Sequence, residues 1–267
     1  MLEPFPEFEW QEETTAGDPR RVITLYGAKG TGKSVMALGF PGRLYVVSLD
    51  DKSQRVWADT YNKDPRITVV SATKYMAYGR DEMVAALSKT HAYVLFLLDK
   101  IEKRGDADWI VIDGLERLTK CAEGVMREKF GLDMTANFAN LGFWKERRRA
   151  LAEAFFRALN VSKRGLILTT YQANEDTFIE AGRTVQRKQV PRWIEVPEEM
   201  TDIVIRVYPE FNEEKKSTRF FAYIVSSKFS DVPTGAVVDV THRTLGEAVA
   251  EWKEKHAEPK TGGWASE

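Results

Sequence analysis

The sequence predicts an α/β fold: a mainly parallel β-sheet flanked by helices, extended toward the C-terminus by an antiparallel β-hairpin. Three observations predict it. Arg21–Tyr26 (RVITLY) is a short β-branched and aromatic run that leads into a glycine-rich loop and then a helical stretch. Trp109–Asp113 (WIVID) is a second buried-strand pattern, apolar until a terminal carboxylate. Asp202–Tyr208 and Arg219–Ser226 are strand-like runs on either side of a polar turn, FNEEKKST.

The first unit carries the clearest chemistry. Gly27–Ser34 (GAKGTGKS) fits the phosphate-binding pattern GxxxxGK(S/T) at every fixed position. Its setting, a strand before and a helix from Ser34 to Phe40 after, is the one in which the pattern makes a site. Gly27, Gly30 and Gly32 let the backbone bend so that successive N–H groups face one phosphate chain. The helix start adds its partial positive charge. Ala28, Lys29, Thr31 and Val35 complete the cradle. Lys33 supplies a mobile cation for the β- and γ-phosphates, and Ser34 a hydroxyl for Mg²⁺.

Composition bounds the rest. The 267 residues suffice for one large domain with appendages, read as an N-terminal arm (1–18), a core domain (19–256) and a disordered tail (257–267). A formal net charge of −1 gives no whole-protein attraction to nucleic acid, so any such binding needs a local patch. One cysteine, Cys121, excludes an internal disulfide and fits a reducing cytoplasm. No apolar run is long enough to span a bilayer, and the acidic N-terminus lacks a signal-peptide pattern. Three histidines and one cysteine argue against a zinc site.

Taken in order, the arm is acid-rich, with Phe5, Phe8 and Trp10 set to pack on the parent domain or on a neighbouring subunit. Pro41-Gly42 marks a turn before a buried parallel strand, Leu44–Leu49, that ends in Asp50-Asp51. Carboxylates at that end of a strand sit where open α/β sheets bind ligands. Ser53–Tyr61 reads as a helix, Ile67–Ser71 as a strand and Arg80–Lys103 as a long, mostly helical stretch. Trp109–Asp113 then delivers Asp113 to the Mg²⁺ site. Gly114-Leu115-Glu116 follows without an immediate Glu, which places the catalytic base elsewhere, at Asp50 or Asp51.

Leu115–Phe130 and Gly142–Asn160 read as helices, the second with Trp144, Leu151, Phe155 and Ala158 on one core-facing stripe. Lys145–Arg149 (KERRR) belongs to the outer face, as a solvated surface or a contact for nucleic acid or a subunit. Leu166–Tyr171 (LILTTY) and Gln172 form a buried strand with a polar end, where Thr170 or Gln172 can sense the γ-phosphate. Asn174–Val196 is polar, basic and flexible in pattern. There Arg183, Arg187, Lys188 and Arg192 can take phosphates while bases stack on Trp193, the alternative being a solvated hairpin. Ala236–Val240 is a last strand and Leu245–His256 a terminal helix.

The assembled order resembles the RecA-fold ATPases, and among them the compact RecA-like ATPases of phages that assist single-strand annealing and recombination. The resemblance covers about residues 19–242 and rests on Tyr26-Gly27, the segment Arg43–Asp51, Phe143-Trp144, and Lys228 followed by Pro233-Thr234-Gly235. It implies ATP as the nucleotide, Asp50 as the residue that activates water, and a homo-oligomer, ring or filament. In that assembly Lys228 reaches a neighbour's γ-phosphate. Ser230 stands where the family's second cation would complete the Lys-x-Arg pair, so Lys228 acts alone.

The function expected is therefore a Mg²⁺-dependent ATPase acting on single-stranded DNA in recombination or replication. Lys33, Asp50, Asp113, Gln172 and Lys228 would carry catalysis, with a recombination or replication protein as a further partner. Two rivals stand beside it. One is a nucleotide-gated assembly or partner-loading ATPase with no direct DNA action. The other is a small-molecule phosphotransferase, for which the chain shows no lid or acceptor motif.

Overall fold

The strands Arg21–Gly27, Leu44–Ser48 and Trp109–Asp113 are apolar runs buried along nearly their whole length, as strands of a parallel sheet covered on both faces are. The computed structural model describes residues 20–76, 82–137, 141–180, 183–193, 195–213 and 216–256. The expected arm and tail lie outside the described residues. Strands β1 (Arg21–Gly27), β2 (Leu44–Ser48), β3 (Ile67–Ser71), β4 (Trp109–Asp113), β5 (Gly165–Glu180) and β7 (Ile203–Asn212) run parallel. β6 (Arg183–Pro191), β8 (Ser217–Ser227) and β9 (Val237–Asp239) join antiparallel. The order across the sheet is β3-β2-β4-β5-β1-β7-β8-β9, with β6 paired to β5. β2 and β4 are buried at every residue, as expected of strands between two helical layers.

Side-chain alternation divides the core. Val22, Tyr45, Val47, Ile110, Ile112 and Leu168 face α3 (Met83–Glu102), α4 (Leu115–Lys129) and α5 (Leu141–Val161). Ile23, Leu25, Val46, Val111 and Ile167 face α1 (Lys33–Leu38) and α7 (Leu245–His256) on the other side. α2 (Lys52–Asp59) follows β2. No helix among the described residues is long and apolar enough to cross a membrane.

One expectation is resolved and one corrected. In Asn174–Val196, read as flexible with a hairpin as the alternative, the hairpin is what forms. β5 continues to Glu180 and pairs with β6 from Gln172↔Pro191 to Glu180↔Arg183, after which α6 (Glu195–Met200) follows. Pairing satisfies the backbone of a polar strand without burying an apolar face, so the sequence carries no hydrophobic period there. Trp144 is not core: it is 40% exposed, with the Arg147 guanidinium 4.0 Å above its ring, while Leu151, Phe155 and Ala158 are buried. The apolar stripe outlasts the surface it covers, and in the first turn of α5 a cation caps the indole instead. The charges beside it are paired: Glu146 accepts from Lys129 at 2.7 Å and Arg149 at 2.6 Å, and Arg148 bridges Glu199 at 2.6 Å.

Candidate functional site

The glycine loop leaves β1 under tight constraint. A Cβ on Gly27 would stand 2.2 Å from the Val207 carbonyl oxygen and 2.7 Å from Thr31 Oγ1. Gly27 is required by close approach, whereas Gly30 and Gly32 carry the chain through φ of 82° and 88°. The loop opens α1, whose Met36, Ala37 and Leu38 are buried and anchor it. Lys33 Nζ donates to the carbonyls of Gly27 at 3.0 Å and Ala28 at 2.7 Å, and lies 4.8 Å from the centre of the Tyr171 ring. Burial lowers the Lys33 pKa, and the charges of Glu116 and Asp113 work against that shift. An ammonium held on two loop carbonyls is one that an arriving phosphate can claim.

Asp113, at the carboxyl end of β4, is the hub of the site. It is 4% exposed, yet three hydroxyls converge on it. Ser34 Oγ lies 3.1 Å from Oδ2 and 3.3 Å from Oδ1, and the Ser53 and Thr169 hydroxyls also donate to the carboxylate. The Gly114 amide donates to Thr169 Oγ1 at 3.2 Å. Sheet register explains the convergence: Asp113 pairs with Thr169 and Gly27 with Tyr171, so the middle of β5 lies between the loop and the carboxylate. One carboxylate and a serine hydroxyl are hard oxygen donors that fit Mg²⁺. Among the described residues no cluster of three or more His, Cys, Asp or Glu could cage a metal unaided. An ion here would take its remaining ligands from water and phosphate.

Asp50 and Asp51 part company. Asp51, at φ 60°, turns to accept from Ser71 at 2.5 Å and Thr73 at 2.6 Å. Asp50 lines the cleft and pairs with Lys52 Nζ at 2.7 Å. Lys52 also donates to the Tyr171 hydroxyl at 2.8 Å, and these two partners hold its ammonium well above the usual lysine range. Glu116, in the first turn of α4, lines the same cleft, and burial raises its carboxyl pKa. Thr170 Oγ1 lies 3.2 Å from Glu116 Oε2 and donates to the Arg192 carbonyl at 2.8 Å. Gln172 pairs with Pro191 in the hairpin and does not line the cleft.

The structure thus brings together Lys29 to Val35, Asp50, Asp113 and Thr170 around a cleft of about 300 Å³. Sequence reasoning missed Lys52, Ser53, Glu116 and Tyr171. Each lies within three residues of a position it did select, but only the fold turns them inward. A second cavity of about 490 Å³ adjoins across Thr31, Gly32, Val35 and Phe220, and is walled by Tyr61 and the Thr241–Thr244 segment. Lys228 lies at the opposite end of the strands from the loop. It follows Ser227, which pairs with Ile203 and so with Ile23, four residues before the loop, or about 13 Å along a strand. Its ammonium is 3.1 Å from Asp202. Arg183, Arg187 and Lys188 lie on β6, and their side chains lie outside the described residues. Arg192 is exposed, and Trp193 is partly buried against the core.

No protein-family model and no curated protein matches the chain. Among solved structures it is similar to the flagellar accessory protein FlaH from Methanocaldococcus jannaschii. The TM-score is 0.38 at 12% identity, over 82% of this chain and 84% of that one. A likeness at that level carries no weight in assigning chemistry.

Proposed function

We propose that the chain is a RecA-like ATPase that binds ATP with Mg²⁺, hydrolyses it, and works as an oligomer on single-stranded DNA in recombination or replication. The observation that carries the nucleotide part is the Ser34–Asp113 pair, a hydroxyl 3.1 Å from a buried carboxylate beside the glycine loop and Lys33. Loop amides and Lys33 take the phosphates. Ser34 and Asp113 would hold Mg²⁺, which when bound neutralises charge on the β- and γ-phosphates. Asp50 orients the attacking water once Lys52 gives up their ion pair to phosphate. The base and ribose occupy the adjoining cavity beside Phe220.

Thr170 and the newly found Tyr171, which line the cleft midway along β5, sense the γ-phosphate; Gln172, paired in the hairpin, does not. Just beyond them the strand enters the β5–β6 hairpin, whose basic strand we assign to DNA. Lys228, distant from its own loop, completes a neighbour's site. The test is steady-state ATP hydrolysis with and without single-stranded DNA, at low and moderate salt. Stimulation by DNA that is lost in Arg187→Ala/Lys188→Ala supports the reading. Absence of stimulation and of salt-sensitive DNA binding overturns its DNA part.

One observation favours a second reading, a nucleotide-gated assembly protein. Asp50 is tied to Lys52 at 2.7 Å, so its carboxylate is engaged before any water arrives. Slow hydrolysis indifferent to DNA but required for binding a protein partner would select that reading.

A further inference from the structure

Lys52 holds a position that local structure does not favour. It is the first residue of α2, where a cation opposes the helix dipole. Its side chain is half-exposed, yet it lies along the wall of the phosphate cleft. Its backbone N–H donates to Asp50 Oδ1 at 3.2 Å, and its ammonium pairs with Asp50 Oδ2 at 2.7 Å and donates to the Tyr171 hydroxyl at 2.8 Å. Lys33 meets the same ring. The Lys33 and Lys52 ammoniums lie 4.8 Å and 5.5 Å from the centre of Tyr171, so one side chain keeps both cations on one cleft. An ammonium has three donors. Asp50 and Tyr171 take two of those on Lys52, and among the described residues the third has no protein partner.

On the ATPase reading above, we propose that Lys52 is a further catalytic residue of the cleft. It exchanges Asp50 for the terminal phosphate of a bound nucleoside triphosphate, and the same movement frees Asp50 for water. Lys33, the loop amides and the Ser34–Asp113 pair serve the phosphates that ATP and ADP share. Lys52 answers to the one that only ATP carries. With a diphosphate bound, Lys52 stays on Asp50 and the carboxylate remains masked. The Tyr171 hydroxyl tethers the ammonium through the exchange. In the hydrolytic step a water oxygen bonds to the γ-phosphorus as the bridging P–O bond breaks. The electron pair of that bond leaves with ADP, and one water proton passes to Asp50. Lys52 keeps its protons and contributes charge, where charge on the transferring phosphoryl group is stabilised.

Binding of fluorescent ATP and ADP analogues with Mg²⁺, and single-turnover ATP hydrolysis, test this in the full chain. Lys52→Gln keeps a polar stem and loses the charge. Its ATP affinity should fall about tenfold or more, as loss of a hydrogen bond to a charged group does, while its ADP affinity stays within about twofold. Single-turnover hydrolysis should fall about 100-fold or more. Arg55→Gln removes the same charge from an exposed position of α2 that does not line the cleft, and should alter neither nucleotide preference nor hydrolysis. Retained ADP binding shows that the Lys52 variant is folded. Three results overturn the inference: equal losses for ATP and ADP, an unchanged preference for ATP, or a Lys52→Gln protein that hydrolyses ATP faster than the wild type, which would make Lys52 only a mask on Asp50. A wild type that binds neither nucleotide overturns the ATPase reading itself.

Discussion

Ser34 and Asp113 lie 79 residues apart in the chain, yet their side chains meet at 3.1 Å, joined by the register of β4 against β5 and β5 against β1. If Mg²⁺ binds there, Asp113→Asn removes the only anionic protein ligand we assign to it. We expect hydrolysis to fall about 100-fold or more, in line with losing a central electrostatic contact to the reacting phosphates. Folding should change little, because an amide oxygen still accepts from hydroxyls. Mg²⁺ titration of ATP turnover and a melting curve separate the two. Unchanged turnover would remove Asp113 from the site.

Gly27→Ala tests the close approach of β1 to β7. Its Cβ would meet a backbone carbonyl at 2.2 Å, which cannot yield as a side chain tip can. Overpacking of this kind costs about 1–3 kcal/mol, a fall of roughly 3–10 °C in Tm for a domain of this size. Gly246→Ala, in α7 with no neighbour within 4 Å, is the control and should leave Tm level or slightly higher. Thermal unfolding of both decides it, and equal melting temperatures would contradict the contact.

Glu116 makes a pH prediction. Its carboxyl pKa is raised by burial, so between the ordinary value of 4.5 and the raised one the folded chain holds more protons than the unfolded chain. Stability from this group is therefore greatest below the ordinary value and declines as pH rises through the raised one. Glu116→Gln has no proton to lose. Melted without nucleotide from about pH 4 to about pH 7, the variant should gain on the wild type as pH rises. A constant difference would mean that the carboxylate ionises without cost.

Lys228 cannot serve its own cleft from the opposite end of the strands. Lys228→Ala should keep ATP affinity within about twofold and slow turnover by roughly tenfold or more, as loss of a cation on the transition state does. Lys33→Ala should lose tight nucleotide binding. Mixing the two inactive proteins is the decisive measurement: shared interfaces pair an intact loop with an intact Lys228, so activity should return. Two proteins that stay inactive when mixed would remove the trans role.

Much of the sheet was legible because its strands are short aliphatic runs with glycine or charge at their ends, as in WIVID and LYVVS. The glycine loop, Asp113 and Asp50 could be read because backbone geometry and strand ends restrict which residue types work there. What stayed hidden had two causes. The hairpin of β5 and β6 could be read only as one of two alternatives, because its strands obtain order from pairing and leave no apolar period. Lys52, Ser53, Glu116 and Tyr171 contribute through direction alone, and direction depends on which face a helix or strand presents after folding. Glu116 was set aside as too far along the chain from Asp113, whereas a turn of α4 returns it to the cleft.

β5 has one further consequence. It is a single strand that starts in the centre of the sheet, passes the phosphate cleft at Tyr171 and runs on into the hairpin, with no glycine or proline after Gly165. A paired strand barely stretches, so it behaves as a rod with a fixed seat. The Tyr26 hydroxyl donates to the Gln189 carbonyl at 3.0 Å and so holds the partner strand β6, opposite Asn174 just beyond the cleft. The first irregularity in its pairing falls between Asp176 and Phe178, about 16 Å beyond Tyr171. A small tilt imposed at the cleft would travel along this arm undiminished and be released as a swing beyond the irregularity. On the nucleotide reading proposed above, the arm would act as a lever whose joint is the bulge between Asp176 and Phe178.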